Sequence, residues 1–108
     1  MTSTVRRVSA ETRAKITEWE GVVLYAYDAA NGRRVEAGGR VAGTLTIGVG
    51  HTGPDVRAGQ TITRQQADDL LARDLAKCEA AVSDAVKVSL SDQQFGTLVS
   101  FAFNAGIG

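Results

Sequence analysis

Cysteine, histidine and any surplus of charge are what this sequence has least of. Cys78 is the one cysteine, so no disulfide can form within the chain, and the composition suits a reducing compartment. His51 is the one histidine, and a lone imidazole cannot build a zinc site. Acidic and basic residues balance at 12 each. A nucleic-acid binder needs a basic surplus to meet phosphate, so the balance argues against nucleic acid as a partner. It argues equally against a polyanionic substrate held mainly by charge. No apolar run follows Arg6 and Arg7, which predicts neither a secretory signal nor membrane insertion. A target beyond the inner membrane would then need a separate delivery route. Repeats and low-complexity tracts are also missing. With 108 residues the chain makes one domain, or part of one, around a modest core.

What is present reads as a helix, a glycine-rich β region and two further helices. Ser9 can cap a helix from Ala10 to Glu20, with Ile16 and Trp19 on its apolar side and Gly21 as its stop. The β-branched and aromatic run Val22 to Tyr27 reads as extended chain. Asp28 to Gly53 is broken by glycines, and short strands over Arg33 to Glu36 and Thr44 to Gly48 make a small antiparallel meander. Thr63 and Gln66 form a capping box that opens a long helix, Arg64 to Val86, with Ala67, Leu70, Leu71, Leu75 and Cys78 at helical spacing. Ser91 and Gln94 form a second, opening Asp92 to Ala105. Apolar residues surround that last helix, from Phe95 and Leu98 to Phe101 and Phe103, so it needs cover on all sides. Either the chain is a shortened version of a larger α+β domain, or an oligomer or partner covers the remaining face.

Two carboxylates stand out for chemistry. Glu20 sits at the negative end of its helix, and burial beside Trp19 would add to that effect. Both favour a carboxylic acid that keeps its proton, as a glycosidase needs to protonate the leaving oxygen. An ordinary exposed Glu in a last turn is the plainer reading. Asp28, after Tyr25 and Tyr27, could be the second carboxylate of a cleft or a simple turn residue. Thr46 could orient a water. The pair Gly48 and Gly50 lacks the Lys-Ser/Thr of a phosphate loop. Without a Ser or Cys nucleophile motif beside it, His51 reads as structural.

The pieces Glu20-Gly21, Ala26-Tyr27-Asp28, Leu45 to Gly53, Gly59 to Thr63 and Gln94-Phe95 leading to Phe101 through Gly106 run in one order along the chain. Together they resemble the phage-type lysozymes, or endolysins, a family of glycoside hydrolases. The stretch Thr46-Ile47-Gly48-Val49-Gly50-His51-Thr52-Gly53 is the most specific of them. The resemblance implies an α+β, lysozyme-like fold within a single domain, residues 1–108. A small N-terminal β-hairpin or meander lobe, about 9–62, joins through a long helix to a helical lobe, about 63–108, that lacks its C-terminal helices.

It implies hydrolysis of the β-1,4 bond between N-acetylmuramic acid and N-acetylglucosamine in peptidoglycan, with host cell lysis as the outcome and no metal or cofactor. Glu20 would be the general acid, Thr46 would place the attacking water or the substrate, and Asn104 would face the glycan from the helical lobe. His51 would form a structural ion pair with Asp74. The glycan strand would be the partner, the chain a monomer unless a second chain completes the helical lobe. Its place would be the host cytoplasm until holin pores release it. The alternative is an inactive, truncated fragment that only binds glycan or needs a partner chain to complete its fold.

One departure concerns the second carboxylate. The family's aspartate position, counted forward from Glu20, falls on Ala29, and counted back from Thr46 it falls on Arg40. An insertion, from about Arg33 to Ala42, therefore sits inside the hairpin. Asp28 is the natural candidate and Glu36 its rival.

Overall fold

A computed structural model of the chain describes residues 6–105. Local signals set its three helices. The first, α1, spans Ala10–Glu20; Ser9 Oγ accepts the Thr12 N–H at 3.1 Å, and the Gly21 N–H closes the last turn on the Thr17 carbonyl at 2.8 Å. Helix α2 spans Arg64–Ala85 and α3 spans Asp92–Ala105. Both capping boxes form reciprocally. The Thr63 N–H donates to Gln66 Oε1 at 2.8 Å while the Gln66 N–H donates to Thr63 Oγ1 at 3.1 Å. Ser91 and Gln94 repeat the arrangement at 2.8 and 3.1 Å. Thr63→Ala leaves one of these donors without its acceptor, so it is expected to lower stability by about 1 kcal/mol in urea unfolding.

Four strands form one antiparallel sheet: β1 Val23–Asp28, β2 Arg33–Arg34, β3 Leu45–Gly48 and β4 His51–Thr52. Their order is β2-β1-β3-β4, which corrects the simple meander read from the sequence. A tight turn at Asn31 and Gly32, closed by bonds to the Asp28 carbonyl, folds β2 back onto β1. The inserted residues then carry the chain to the opposite edge of β1, where β3 pairs in the register Tyr27↔Thr46 and Asp28↔Leu45. Strand β4 and the bridge Tyr25↔Thr61 add pairings that the residue pattern did not suggest.

The chain divides into two compact units, and the division falls inside α1 and α2 rather than in a loop. Thr17–Leu71 holds the sheet; Ala26, Ile47, Val56 and Leu70 form its buried cluster, with Leu45 and Ile62 packed against it. Burying the side chains of Ile47, Val56 and Leu70 contributes about 1.5–3 kcal/mol each by taking them out of water. The other unit joins the N-terminal segment through Ile16 to the chain from Ala72 onward. Its buried side chains include Ile16, Leu75, Cys78, Val82, Phe95 and Val99. Glu79, itself buried, accepts the Val8 N–H at 2.7 Å and so pins the segment leading into α1.

On α3 the expected cover is incomplete. Phe95, Val99 and Ala102 are buried, yet Leu98 is 36% and Phe101 72% exposed. Among the described residues no helix is long and apolar enough to cross a membrane.

Candidate active site

Of the residues singled out for chemistry, Glu20, Asp28, Thr46, His51 and the rival Glu36 all fall in the sheet-bearing unit. Glu20 ends α1 and is exposed. Three residues on, Val23 opens β1 opposite Gly48, the last residue of β3. This pairing ties the chain beside Glu20 to the strand that carries Thr46. The expected burial beside Trp19 does not occur, because Trp19 is 66% exposed. The physical reason is that Ile16 is the one buried residue of α1, and Trp19 and Glu20 stand in the turn beyond it.

Thr46 lies on β3 between Tyr27 of β1 and Thr52 of β4, and it is buried. Its hydroxyl donates to the Thr44 carbonyl at 3.0 Å. With the proton committed there, the oxygen lone pairs of Thr46 can only accept. Such a hydroxyl can receive a bond from a water and leave that water's own lone pair free. The Gly48 and Gly50 of the motif both have positive φ, 70° and 68°, and turn the chain from β3 into β4. That conformation is why the motif needs glycine on either side of Val49.

Asp28 is 2% exposed, and main-chain donors engage both of its carboxylate oxygens. Oδ1 accepts the N–H groups of Ala30 at 2.8 Å and Gly43 at 3.0 Å, and Oδ2 accepts that of Ala42 at 2.7 Å. The Ala30 and Ala42 donors, helped by Gly43, hold its carboxyl below the ordinary value of 3.8 against the opposing effect of burial. A carboxylate lowered in the fold stabilises fully above its unfolded value. That contribution is lost as pH falls through the lower folded value. Glu36, in contrast, is exposed and meets Arg34 Nε at 3.1 Å.

His51 opens β4, and its Nε2 lies 2.9 and 3.1 Å from the carboxylate oxygens of Asp55. Sequence reading missed this partner. The signal was an acid four residues on, returned by the turn in which the Val56 N–H bonds the Gly53 carbonyl at 3.1 Å. Asp74, on α2, and Asn104, exposed on α3, belong to the other unit.

Comparison with known proteins points one way. A sequence model described as phage lysozyme matches residues 17–108. The endolysin of Bacillus phage PZA is 41% identical over 93 residues, which are 86% of this chain and 33% of that protein. The endolysin of Salmonella phage P22 is 42% identical over 79 residues, 69% of this chain and 54% of its own length. A solved structure of a P22 lysozyme mutant superposes with a TM-score of 0.76 at 34% identity, over 94% of this chain and 64% of that one. The chain thus spans about a third and about half of the two endolysins.

Proposed function

The chain belongs to the phage lysozyme family, and we propose that it is an endolysin-type muramidase that hydrolyses the β-1,4 bond between N-acetylmuramic acid and N-acetylglucosamine in peptidoglycan. The observation that carries this reading is the pairing of Val23 with Gly48, which links the chain at an exposed carboxylic acid, Glu20, to the strand of an oriented hydroxyl, Thr46. In the reaction Glu20 gives its proton to the glycosidic oxygen as the bond from the anomeric carbon to that oxygen breaks. A water held by Thr46 adds its oxygen to the anomeric carbon and releases a proton to solvent. Asp28 helps to position that water. Asn104 would contribute a polar contact to the glycan, and Asp74 would support His51 in addition to Asp55. The setting would be the host cytoplasm until the wall is reached, and lysis of the host the result.

Digestion of purified peptidoglycan in heavy-oxygen water tests the reaction. One heavy oxygen at each new reducing end is the expected result. Anhydro-sugar ends without the label would instead mean that a sugar hydroxyl displaces the leaving group. A second reading, a glycan-binding fragment without activity, draws on the 72% exposure of Phe101, an apolar face left without cover. Binding to peptidoglycan with no new ends of either kind would favour it.

A further inference from the structure

Asp28 is the group whose surroundings fit a paired-carboxylate mechanism least well. A general base needs a lone pair aimed at the water it activates, yet Asp28 is buried and accepts three main-chain bonds. Two of the donors, Ala42 and Gly43, lie at the far end of the inserted segment and directly before Thr44. The Thr44 carbonyl in turn accepts both the Ala29 N–H, at 3.0 Å, and the Thr46 hydroxyl, at 3.0 Å. One connected network therefore runs from the Asp28 carboxylate through residues 42–44 to the hydroxyl of Thr46. Gly43 makes the fit closer still. A methyl at that position would stand 2.7 Å from Ala30 Cβ and 3.0 Å from Asp28 Oδ1.

We infer that Asp28 is a positioning residue: by gripping Ala42 and Gly43 it aims the Thr44 carbonyl, and through it fixes the Thr46 hydroxyl as an acceptor toward the attacking water. The inference rests on the muramidase reading for its consequence in catalysis. It also explains how a hairpin carrying an insertion keeps Thr46 in register. The inserted chain is tied back to the last residue of β1, so its length does not reach Thr46. The carboxylate's lowered proton affinity agrees with an anion that is held in place rather than poised to take up a proton.

A mutant cycle separates this role from that of a base. In Asp28→Asn one oxygen stays an acceptor, but the NH2 that replaces the other faces a backbone N–H, so one of the two bonds that hold the 42–43 segment is lost and the grip is loosened. The expected result is a fall in kcat of about 10- to 100-fold, the scale of a small misplacement, with KM unchanged. On a Thr46→Val background the same substitution is expected to add nothing further, because the group it aims is already gone. The acidic limb of the pH profile should stay where it is. Gly43→Ala leaves the carboxylate in place but pushes the segment away, and should reproduce the kcat loss. It also guards against an Asp28→Asn chain that fails to fold.

Losses that multiply across the cycle, an acidic limb that moves with Asp28→Asn, or a Gly43→Ala enzyme of full activity would each overturn the inference. Scalar couplings of the Thr46 side chain give a readout independent of turnover. A single Thr46 rotamer in the wild type that averages in Gly43→Ala is expected, and a rotamer unchanged there would sink the idea. A wild type that cleaves no glycan would remove the muramidase reading, while the couplings would still decide whether the network sets Thr46.

Discussion

Glu20→Gln is expected to lower the rate of peptidoglycan cleavage by about two to four powers of ten, the range for loss of a positioned acid. The substitution keeps the shape and the hydrogen-bonding length of the side chain but removes the proton that the leaving oxygen requires. Glu20 is exposed at the end of α1, and Ile16 is the one buried residue of that helix. The fold therefore has little stake in the carboxyl, and thermal unfolding should shift by no more than about 0.5 kcal/mol. The two readouts together make the result informative. Loss of turbidity clearing with unchanged circular dichroism assigns the chemistry to Glu20. Cleavage that survives in Glu20→Gln would show that the proton comes from elsewhere and would end the claim that Glu20 is the acid.

How much of this could be read in the residues follows the range of the interactions. The bounds of α1 and α3, and the start of α2, were legible because Ser9, Thr63 with Gln66, and Ser91 with Gln94 act within one helical turn. The extended runs were legible as strands, but their order was not. Which edge of β1 receives β2 and which receives β3 depends on how the inserted segment crosses, and that segment's partners are main-chain groups. Strand β4 is two residues long and exists only through its pairing with Thr46 and Ile47.

The candidate site divides in the same way. Glu20 was singled out by its place at a helix end and Thr46 by its place in the glycine motif, and the roles proposed for them came from the family resemblance. The setting of Asp28 was hidden, because the N–H groups of Ala42 and Gly43 that occupy it lie 14 and 15 residues away and leave no mark in side-chain pattern. Trp19 misled for a related reason. An aromatic residue three positions after Ile16 suggests a buried row, yet the row ends one turn earlier. For His51 the family resemblance implied a structural ion pair with Asp74, and the structure sets the Asp55 carboxylate beside its Nε2 within the same unit.

The other large effect is expected at Phe95, and its contrast with Phe101 on the same helix gives it force. Phe95 is 2% exposed, sits in the first turns of α3, and carries the Arg6 guanidinium 4.6 Å from its ring centroid. Arg6 also donates to the Leu90 carbonyl at 2.9 Å and to Asp92 Oδ1 at 2.8 Å, so the ring lies beneath a small clamp at the start of the helix. Phe95→Ala removes a buried ring and leaves a cavity, at a cost of about 3–5 kcal/mol. Loss of the cation–π contact adds about 0.5–1 kcal/mol, because Arg6 remains partly exposed. Against the total of about 5–15 kcal/mol typical of a domain, such a loss brings the helical unit to the edge of unfolding. Phe101→Ala, at 72% exposure, should change stability by no more than about 0.5 kcal/mol. Urea unfolding of both variants, followed by circular dichroism, reads the difference directly. Equal and large losses at the two positions would mean that the Phe101 face is covered in solution, and that the exposed aromatic belongs to a contact with another chain.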